Sequence, residues 1–276
     1  MLAQLFSDIA SLWAKYRTVY LTGIANTLIL ATTATLIGCV IGFLCGILQT
    51  IPCGAKDNPF KRVMLKIVRI VIRVYVEVFR GTPMILQAVF IYYGMPYFFG
   101  VSFSDIWTVS IIVVSVNTGA YMAESVRGGI MSIDPGQFEG AKAIGMNHWQ
   151  TMLYIILTQT LRNIMPQIGN NYIINVKDTS VMFIIGFSDF FAVHKMVSGA
   201  VFKYFPSAFM EMGGYLCLTL LASFLLRRLE KKLAGKSNYE LVNTDQLVMT
   251  AGTYKYPGDA ASPFDETSRD YKGEGK

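Results

Sequence analysis

The chain has 276 residues, of which 53% are apolar and only 15% charged, with a mean hydropathy of +0.43. Soluble domains carry about a quarter of their residues as charges, so this composition excludes an ordinary soluble domain and points to the membrane. The net charge of +6 lies beside apolar runs instead of in a basic globular patch, which favours membrane topology over nucleic-acid binding as its origin.

Met1 to Arg17 lacks the basic start, compact apolar stretch and cleavage site of a secretory leader, so a signal peptide is not expected. Leu2, Leu5, Phe6, Ile9, Leu12 and Trp13 recur at helical spacing, and residues 1–18 are expected to form an interfacial helix. Residues 19–234 then read as one all-α transmembrane domain. A spanning helix needs roughly 20 apolar residues. Leu21 to Leu48 exceeds that without a single charge. Between Lys61 and Arg80, basic and β-branched residues recur at helical spacing, which predicts a long, partly interfacial amphipathic helix.

Pro83 to Val101 is the second expected span, with Tyr92, Tyr93 and Tyr97 forming an interfacial belt near one end. Ile106 to Val126 is the third. The fourth, residues 168–187, is interrupted by Asn170, Asn171, Asn175, Lys177 and Asp178, and Phe209 to Leu226 is the fifth. Lysine and arginine cluster between Lys56 and Arg80 and again after the fifth span, but are absent from Tyr93 to Asp105. With five spans this asymmetry places the N-terminus outside and the C-terminus in the cytoplasm. Residues 235–276 read as a polar cytoplasmic tail to which no function is assigned.

Residues 131–162 form a polar, Gly-punctuated interruption that the same topology puts on the cytoplasmic side. Asp134 and Pro135 signal a helix start, Gly145 a break, and Asn147 a second cap, with a second helix expected to run to Ile156. Two short helices at an angle make either an ordinary cytoplasmic hairpin or a knob for a partner's groove. In the second reading Glu139 meets basic or hydrogen-bonding groups, while Gly140, Ala141 and Ala143 allow close approach.

Cys39, Cys45, Cys53 and Cys217 form no CxxC pair and read as small buried hydrophobes. His148 and His194 are isolated and are expected to be solvated or interfacial, so no metal site is expected. No GxxxxGK[ST], GxSxG or HExxH occurs, so no ATP hydrolysis or other catalysis is expected on this chain.

Several blocks in fixed order carry a specific resemblance. They are Phe79-Arg80-Gly81-Thr82-Pro83, Gln87 and Ile91 to Gly94; Ala120 to Glu124 with Arg127 to Ile130; Gly136-Gln137, Glu139, Ala141 and Gly145; then Gln159, Leu161-Arg162, Pro166, Asn170 and Lys177 to Ser180. From about Gly23 to Leu226 the chain resembles permease subunits of bacterial ATP-binding-cassette importers for polar amino acids, of the histidine, glutamine, arginine and cystine type. The resemblance implies the MetI-like architecture, and makes Gly136, Gln137, Glu139, Gly140, Ala141 and Gly145 the ATPase-docking EAA loop. It implies partner ATPase subunits holding ATP and magnesium, a second permease in a homo- or heterodimer, and an extracytoplasmic amino-acid-binding protein. No cofactor is expected on this chain. The chain departs from the family pattern at Gly140, often alanine, at Thr158, often proline, and in having Asp189 where a glutamate is usual.

Charges inside a membrane mark functional sites by default. Glu124 and Arg127, three apart, either pair as a latch near the inner mouth or meet substrate. Lys177 and Asp178 are adjacent and cannot share a face. Asn117, Thr118, Glu124, Asn171, Asn175, Lys177, Asp178 and Thr179 are the candidate substrate path, with Arg80, Gln87 and Arg127 as gate or structural groups. Asn171 and Thr179 equally fit polar helix-to-helix contacts. An ion-gradient-driven amino acid carrier and a non-transporting scaffold are the rival readings, and neither needs a docking knob.

Overall fold

The computed structural model describes residues 2–52 and 58–234. Cys53, Lys56 and the tail 235–276 lie outside these residues.

The first helix, α1, runs unbroken from Leu2 to Thr50. The boundary expected between an interfacial helix and the first span is therefore absent. At 1.5 Å per residue α1 is ~74 Å long, about twice a bilayer's thickness. Tertiary packing accounts for its continuity: Leu12 and Tyr20 are buried against Phe190, Val193 and Val197, and Asp8 pairs with Lys203 at 2.7 Å.

Helix α2, Pro59–Gly81, starts at Asn58, whose side chain accepts from Phe60 N, with Pro59 in the first turn where no N–H is needed. It stops at Thr82-Pro83, because the residue before a proline is pushed out of the helical region. The expected second span follows as a short apolar unit. Helix α3, Met84–Val89, passes through a π-turn at Phe90–Gly94 into α4, Met95–Phe99, and closes at left-handed Gly100 (φ 67°).

Helix α5, Ile106–Met131, is capped by Asp105 and packs along α1 over most of its length. Gly38, Gly42 and Gly46 on α1 face Thr118, Met122 and Val126 on α5, where any Cβ would clash. Helix α6, Pro135–Ala143, leads to α7, His148–Gln150, a π-turn at Thr151–Ile156, and α8, Leu157–Asp178. The chain then tightens into a 3₁₀ segment, Thr179–Ile185. The second arm of the knob thus does not end at Ile156, and the expected fourth span starts in mid-helix. The helical path is continuous from His148 to Ile185, and Pro166 is absorbed within it.

At Gly186 (φ 90°) the chain bends by 54° into α9, Phe190–Val201, and α10 runs from Tyr204 to Ala234. Five spans are expected from the sequence. Among the described residues three helices are long and apolar enough to cross, a fourth if the bent pair is one span, and Met84–Phe99 is shorter. One apolar core, built on Leu30, Val109, Val113, Met182 and Ile185, joins α1, α5 and the 3₁₀ segment, with Ala88 joining them from α3. Another, built on Met122, Val126, Ile156 and Ile164, seats the knob and α8 on α5.

Candidate functional site

The break between α2 and α3 opens a cavity of about 540 Å³. Arg80 in the last turn of α2 and Gly81 to Met84 form one wall, Asn117, Thr118 and Tyr121 of α5 a second, and Gln167, Asn171, Ile174, Asn175 and Asp178 of α8 a third. Six of the residues expected from sequence meet here: Arg80, Asn117, Thr118, Asn171, Asn175 and Asp178. The Arg80 guanidinium lies 5.4 Å from the Tyr121 ring centroid, a cation–π distance.

Gln87 stands behind this wall and braces the break. Its Nε2 reaches Phe79 O (2.9 Å), Thr82 O (3.0 Å) and Thr82 Oγ1 (2.9 Å), of which the two carbonyls are groups that the interrupted helix leaves without intrahelical partners. Its Oε1 accepts from Asn117 Nδ2 at 3.0 Å, and that amide also reaches Phe79 O at 3.2 Å. The bend that presents Arg80 is thereby tied to α5. Deeper in, Asn175 Nδ2 donates to Thr35 Oγ1 (2.8 Å) and Thr118 Oγ1 (2.9 Å), joining α1, α5 and α8 in one buried knot. Asn171 Nδ2 donates to Gln167 O (3.0 Å) and touches Met122 Sδ (3.2 Å).

The remaining candidates lie elsewhere. The Lys177 side chain is exposed and outside the cavity lining, as adjacency to Asp178 requires. Thr179 is fully buried and donates back to Val176 O at 3.1 Å, a bond that helps close α8. Glu124 and Arg127 are hydrogen-bonded to each other and line a separate cavity of about 470 Å³ with Arg69, Arg73 and Glu77. Sequence reasoning missed Tyr121 and Gln167. Gln167, Asn171, Asn175 and Asp178 repeat at intervals of four, four and three, the helical spacing of one face, and that signal was available.

The 131–162 segment forms a first short helix, a turn at Gly145 and a second helical arm that runs on into α8. Asp134 Oδ1 accepts from Gly136 N at 2.7 Å, and Gly145 takes φ 80° at the turn, where a side chain would be strained. Asn147 and Gln150 form a reciprocal capping box, both bonds 2.9 Å. Ala141 is buried against the rest of the knob, and Gln159 Nε2 donates to Gln137 Oε1 at 3.0 Å to lock the two arms together. Gly136, Gln137, Glu139, Gly140 and Gly145 are exposed. A Cβ on Gly140 would meet nothing within 4 Å, so the alanine common there is sterically neutral. On the same knob Ile144 and Trp149 are 77% and 70% exposed, which leaves large apolar side chains uncovered there.

His194 is neither solvated nor interfacial. It is 1% exposed, with Nδ1 2.9 Å from Ser207 Oγ and 3.7 Å from Glu211 Oε2, and Tyr20 OH lies 2.8 Å from the same Ser207 hydroxyl. Asp189 is fully buried beside this cluster, capping α9 and accepting from Tyr215 OH at 3.1 Å. These groups pin α9 to α1 and α10 from one side.

Comparison with known proteins agrees with this architecture. Over 196 residues the chain is 34% identical to the glutamine transport system permease protein GlnP of Escherichia coli strain K12, covering 71% of this chain and 84% of that one. It is 34% identical over 211 residues to the putative glutamine transport system permease protein GlnP of Rickettsia felis, covering 76% and 91%. A solved structure described as an amino acid ABC transporter with histidines superposes with a TM-score of 0.69 at 30% identity, over 79% of this chain and 96% of that one. The MetNI methionine ABC transporter, inward facing, superposes with a TM-score of 0.65 at 18% identity, covering 79% and 98%, which shows the shared fold. The chain is therefore an all-helical, multi-pass inner-membrane permease component and not itself an enzyme. Residues 42–235 match the family described as the binding-protein-dependent transport system inner membrane component, and the chain belongs to that family.

Proposed function

We propose that this chain carries a polar amino acid, of the glutamine or histidine kind, into the cytoplasm as one of two membrane subunits of an ATP-driven importer. The observation that carries the reading is the cavity at the α2–α3 break. It sets the Arg80 guanidinium and the Asp178 carboxylate among the amides of Asn117, Gln167, Asn171 and Asn175. An α-amino acid presents a carboxylate, an ammonium and, for glutamine, an amide, and this lining offers a partner for each. A cavity of about 540 Å³ lies in the range of small-molecule sites.

The chain has too few spans to enclose a pathway alone, so a second permease, the same or a homologous chain, faces this cavity. The N-terminus lies outside and the C-terminus in the cytoplasm, so that the knob carrying Glu139 meets an ATPase subunit holding ATP and magnesium. A separate binding protein delivers the amino acid from the other face. ATP-driven closure draws the two knobs together through Glu139, Ile144 and Trp149. Because the locked knob is continuous with α8, that motion passes along the helix to Asn171, Asn175 and Asp178. Hydrolysis then resets the pathway.

The test is uptake by the reconstituted transporter, with its ATPase and binding protein, of labelled glutamine and histidine. Asp178→Asn keeps size and hydrogen bonding but removes the charge that meets an ammonium. Loss of a charged hydrogen bond is worth ~1.5–3 kcal/mol, so uptake at low substrate is expected to fall roughly tenfold to a hundredfold. Wild-type uptake by Asp178→Asn, or uptake that follows an ion gradient and survives ATP depletion, would overturn the reading.

A further inference from the structure

Helix α2 carries a basic stripe that transport through the cavity does not use. Arg62, Lys66, Arg69 and Arg73 recur at intervals of four, three and four, so they share one face over ~16 Å of helix. Arg62, Lys66 and Arg73 are exposed, and among the described residues none of the three makes an ion pair or a side-chain hydrogen bond. The stripe walls an open cavity of about 660 Å³ whose remaining lining is Pro59, Val63 and Ile70, with no acid. A second cavity of about 470 Å³ shares Arg69 and Arg73 and adds Glu77 and the Glu124–Arg127 pair, so the acids lie on that side and the face toward Arg62 and Lys66 carries none.

Arg69 is the fixed point of this surface. It donates to Ile51 O at the end of α1, yet its Nε is buried without any hydrogen-bond partner. A buried charged donor is costly to leave unpaired, and an anion held in the adjoining cavity, which Arg69 also lines, would offset the charge of the same guanidinium. Flanking the stripe, Met64, Ile67, Val71 and Val74 are each more than half exposed. An uncovered apolar face beside unpaired cations suits a helix whose apolar side contacts acyl chains and whose cations reach the headgroups.

We propose that the Arg62–Lys66–Arg69–Arg73 stripe binds the headgroup of an anionic phospholipid in the leaflet at which α1 ends. The phosphodiester oxygens match the guanidinium forks, while the acyl chains cover Val63 and Ile70 and the apolar flank of α2. Charge complementarity selects this occupant. A zwitterionic headgroup cancels its own phosphate with its ammonium, and a soluble acidic peptide would leave the apolar flank in water. The site is independent of which substrate is carried, and occupancy would hold the wall of α2 that ends in Arg80.

The experiment uses the full-length chain with whatever subunits purify with it. It is reconstituted in phosphatidylcholine nanodiscs with and without phosphatidylglycerol, and the lipids retained after return to mild detergent are identified by mass spectrometry. The wild type is expected to retain phosphatidylglycerol well above its share of the bilayer. Removing three charges in Arg62→Gln/Lys66→Gln/Arg73→Gln should weaken that retention on the order of a hundredfold. The charge-keeping Arg62→Lys/Arg73→Lys variant, which loses the forks but not the charge, should retain less than the wild type and clearly more than the triple glutamine variant. Wild-type retention that mirrors the bulk mixture overturns the proposal without reference to any variant, and so does undiminished retention in the triple glutamine variant. Displacement of the lipid by millimolar inorganic phosphate would assign the site to a free anion and overturn it as well.

Discussion

Gly42→Ala is the sharpest test of how α1 and α5 are held together. A Cβ on Gly42 would lie against Met122 Cβ, 2.8 Å from the Met122 carbonyl carbon and 2.9 Å from Ala123 N. Two of these neighbours are backbone atoms, so no rotamer change relieves the clash, and α1 must move away by roughly half an ångström. A gap of ~0.5 Å forfeits about a quarter of the dispersion energy of each contact along the seam. The same movement stretches the 2.8 Å bond from Asn175 to Thr35, the link by which α1 joins the wall of the cavity. Overpacking of this kind costs ~1–3 kcal/mol. Taking ~2 kcal/mol, the unfolding temperature should fall by roughly 4–8 °C for a chain of this size. Gly128→Ala on the same α5 is the control. An added Cβ there meets nothing within 4 Å, and its only effect is up to about 1 kcal/mol of helix propensity in its favour. Thermal scans in detergent, read by monodisperse protein remaining after heating, decide the matter. Equal unfolding temperatures for Gly42→Ala and the wild type would show that the seam is not close-packed.

Glu139→Lys should abolish coupled uptake while the chain still reaches the membrane and assembles with its second permease, measured by vesicle uptake alongside co-purification; normal uptake would remove Glu139 from the coupling contact. Asn147→Ala removes the 2.9 Å bond that Gln150 N donates to the Asn147 side chain, and leaves the backbone N–H of residue 147 free to keep its bond to Gln150 Oε1. At ~1 kcal/mol per cap, amide exchange over His148–Gln150 should speed up roughly fivefold, and unchanged exchange would mean that water replaces the cap without loss. Asp105 caps α5 through Trp107 N, Thr108 N and Thr108 Oγ1 at 3.2, 3.0 and 2.9 Å. The Thr108 hydroxyl, then the two backbone N–H groups, hold its carboxyl below the ordinary value of 3.8. The cap is therefore intact above that ordinary value and is lost only as pH falls through the lower folded value. Exchange protection at the start of α5, taken relative to the intrinsic rate at each pH, should stay flat from neutral pH to the ordinary carboxylate range in the wild type, and Asp105→Ala should remove the acid transition below it.

The helical class and the knob were legible because they rest on local signals. Uninterrupted apolar length marks α1, α5 and α10, and Asp134-Pro135, Gly145 and Asn147 are caps and breaks whose chemistry acts within one turn. The boundaries were less legible wherever tertiary contact overrides local preference. Nothing in residues 1–20 announces that Leu12 and Tyr20 will be buried by α9, which keeps α1 unbroken past its expected end. Hydropathy likewise gave no sign that the knob's second arm, the polar stretch after it and the fourth span are one helical path. The π-turn at Thr151–Ile156 and the polar face of α8 lower its apolar content without interrupting its backbone bonds. His194 was misjudged for the same reason, since its partners Ser207 and Glu211 lie on α10, beyond any helical period.

The cavity was half legible, and what was missed follows from how a helix distributes its side chains. Composition alone marks Asn171, Asn175, Lys177 and Asp178 as costly in a membrane, but only the angle around the axis decides which of them share a site. Counting back from Asp178 by three, four and four keeps one face and gives Asn175, Asn171 and Gln167, all of which line the cavity, whereas Lys177 is rotated about 100° away and is exposed. The same rule on α5 carries Asn117 and Thr118 forward to Tyr121, and leaves Glu124 one further turn along, in the neighbouring cavity with Arg69 and Arg73. The ionic pair Glu124–Arg127 and the polar site around Asn117 are thus successive levels of one face of α5. Along that face the lining passes from amides with Arg80 and Asp178 to Arg69, Arg73 and Arg127 with the acids Glu77 and Glu124. Gln87 matters because it fixes where that sequence begins. By holding the broken end of α2 against α5, it keeps Arg80 in the lining of the cavity to which Asp178 also contributes.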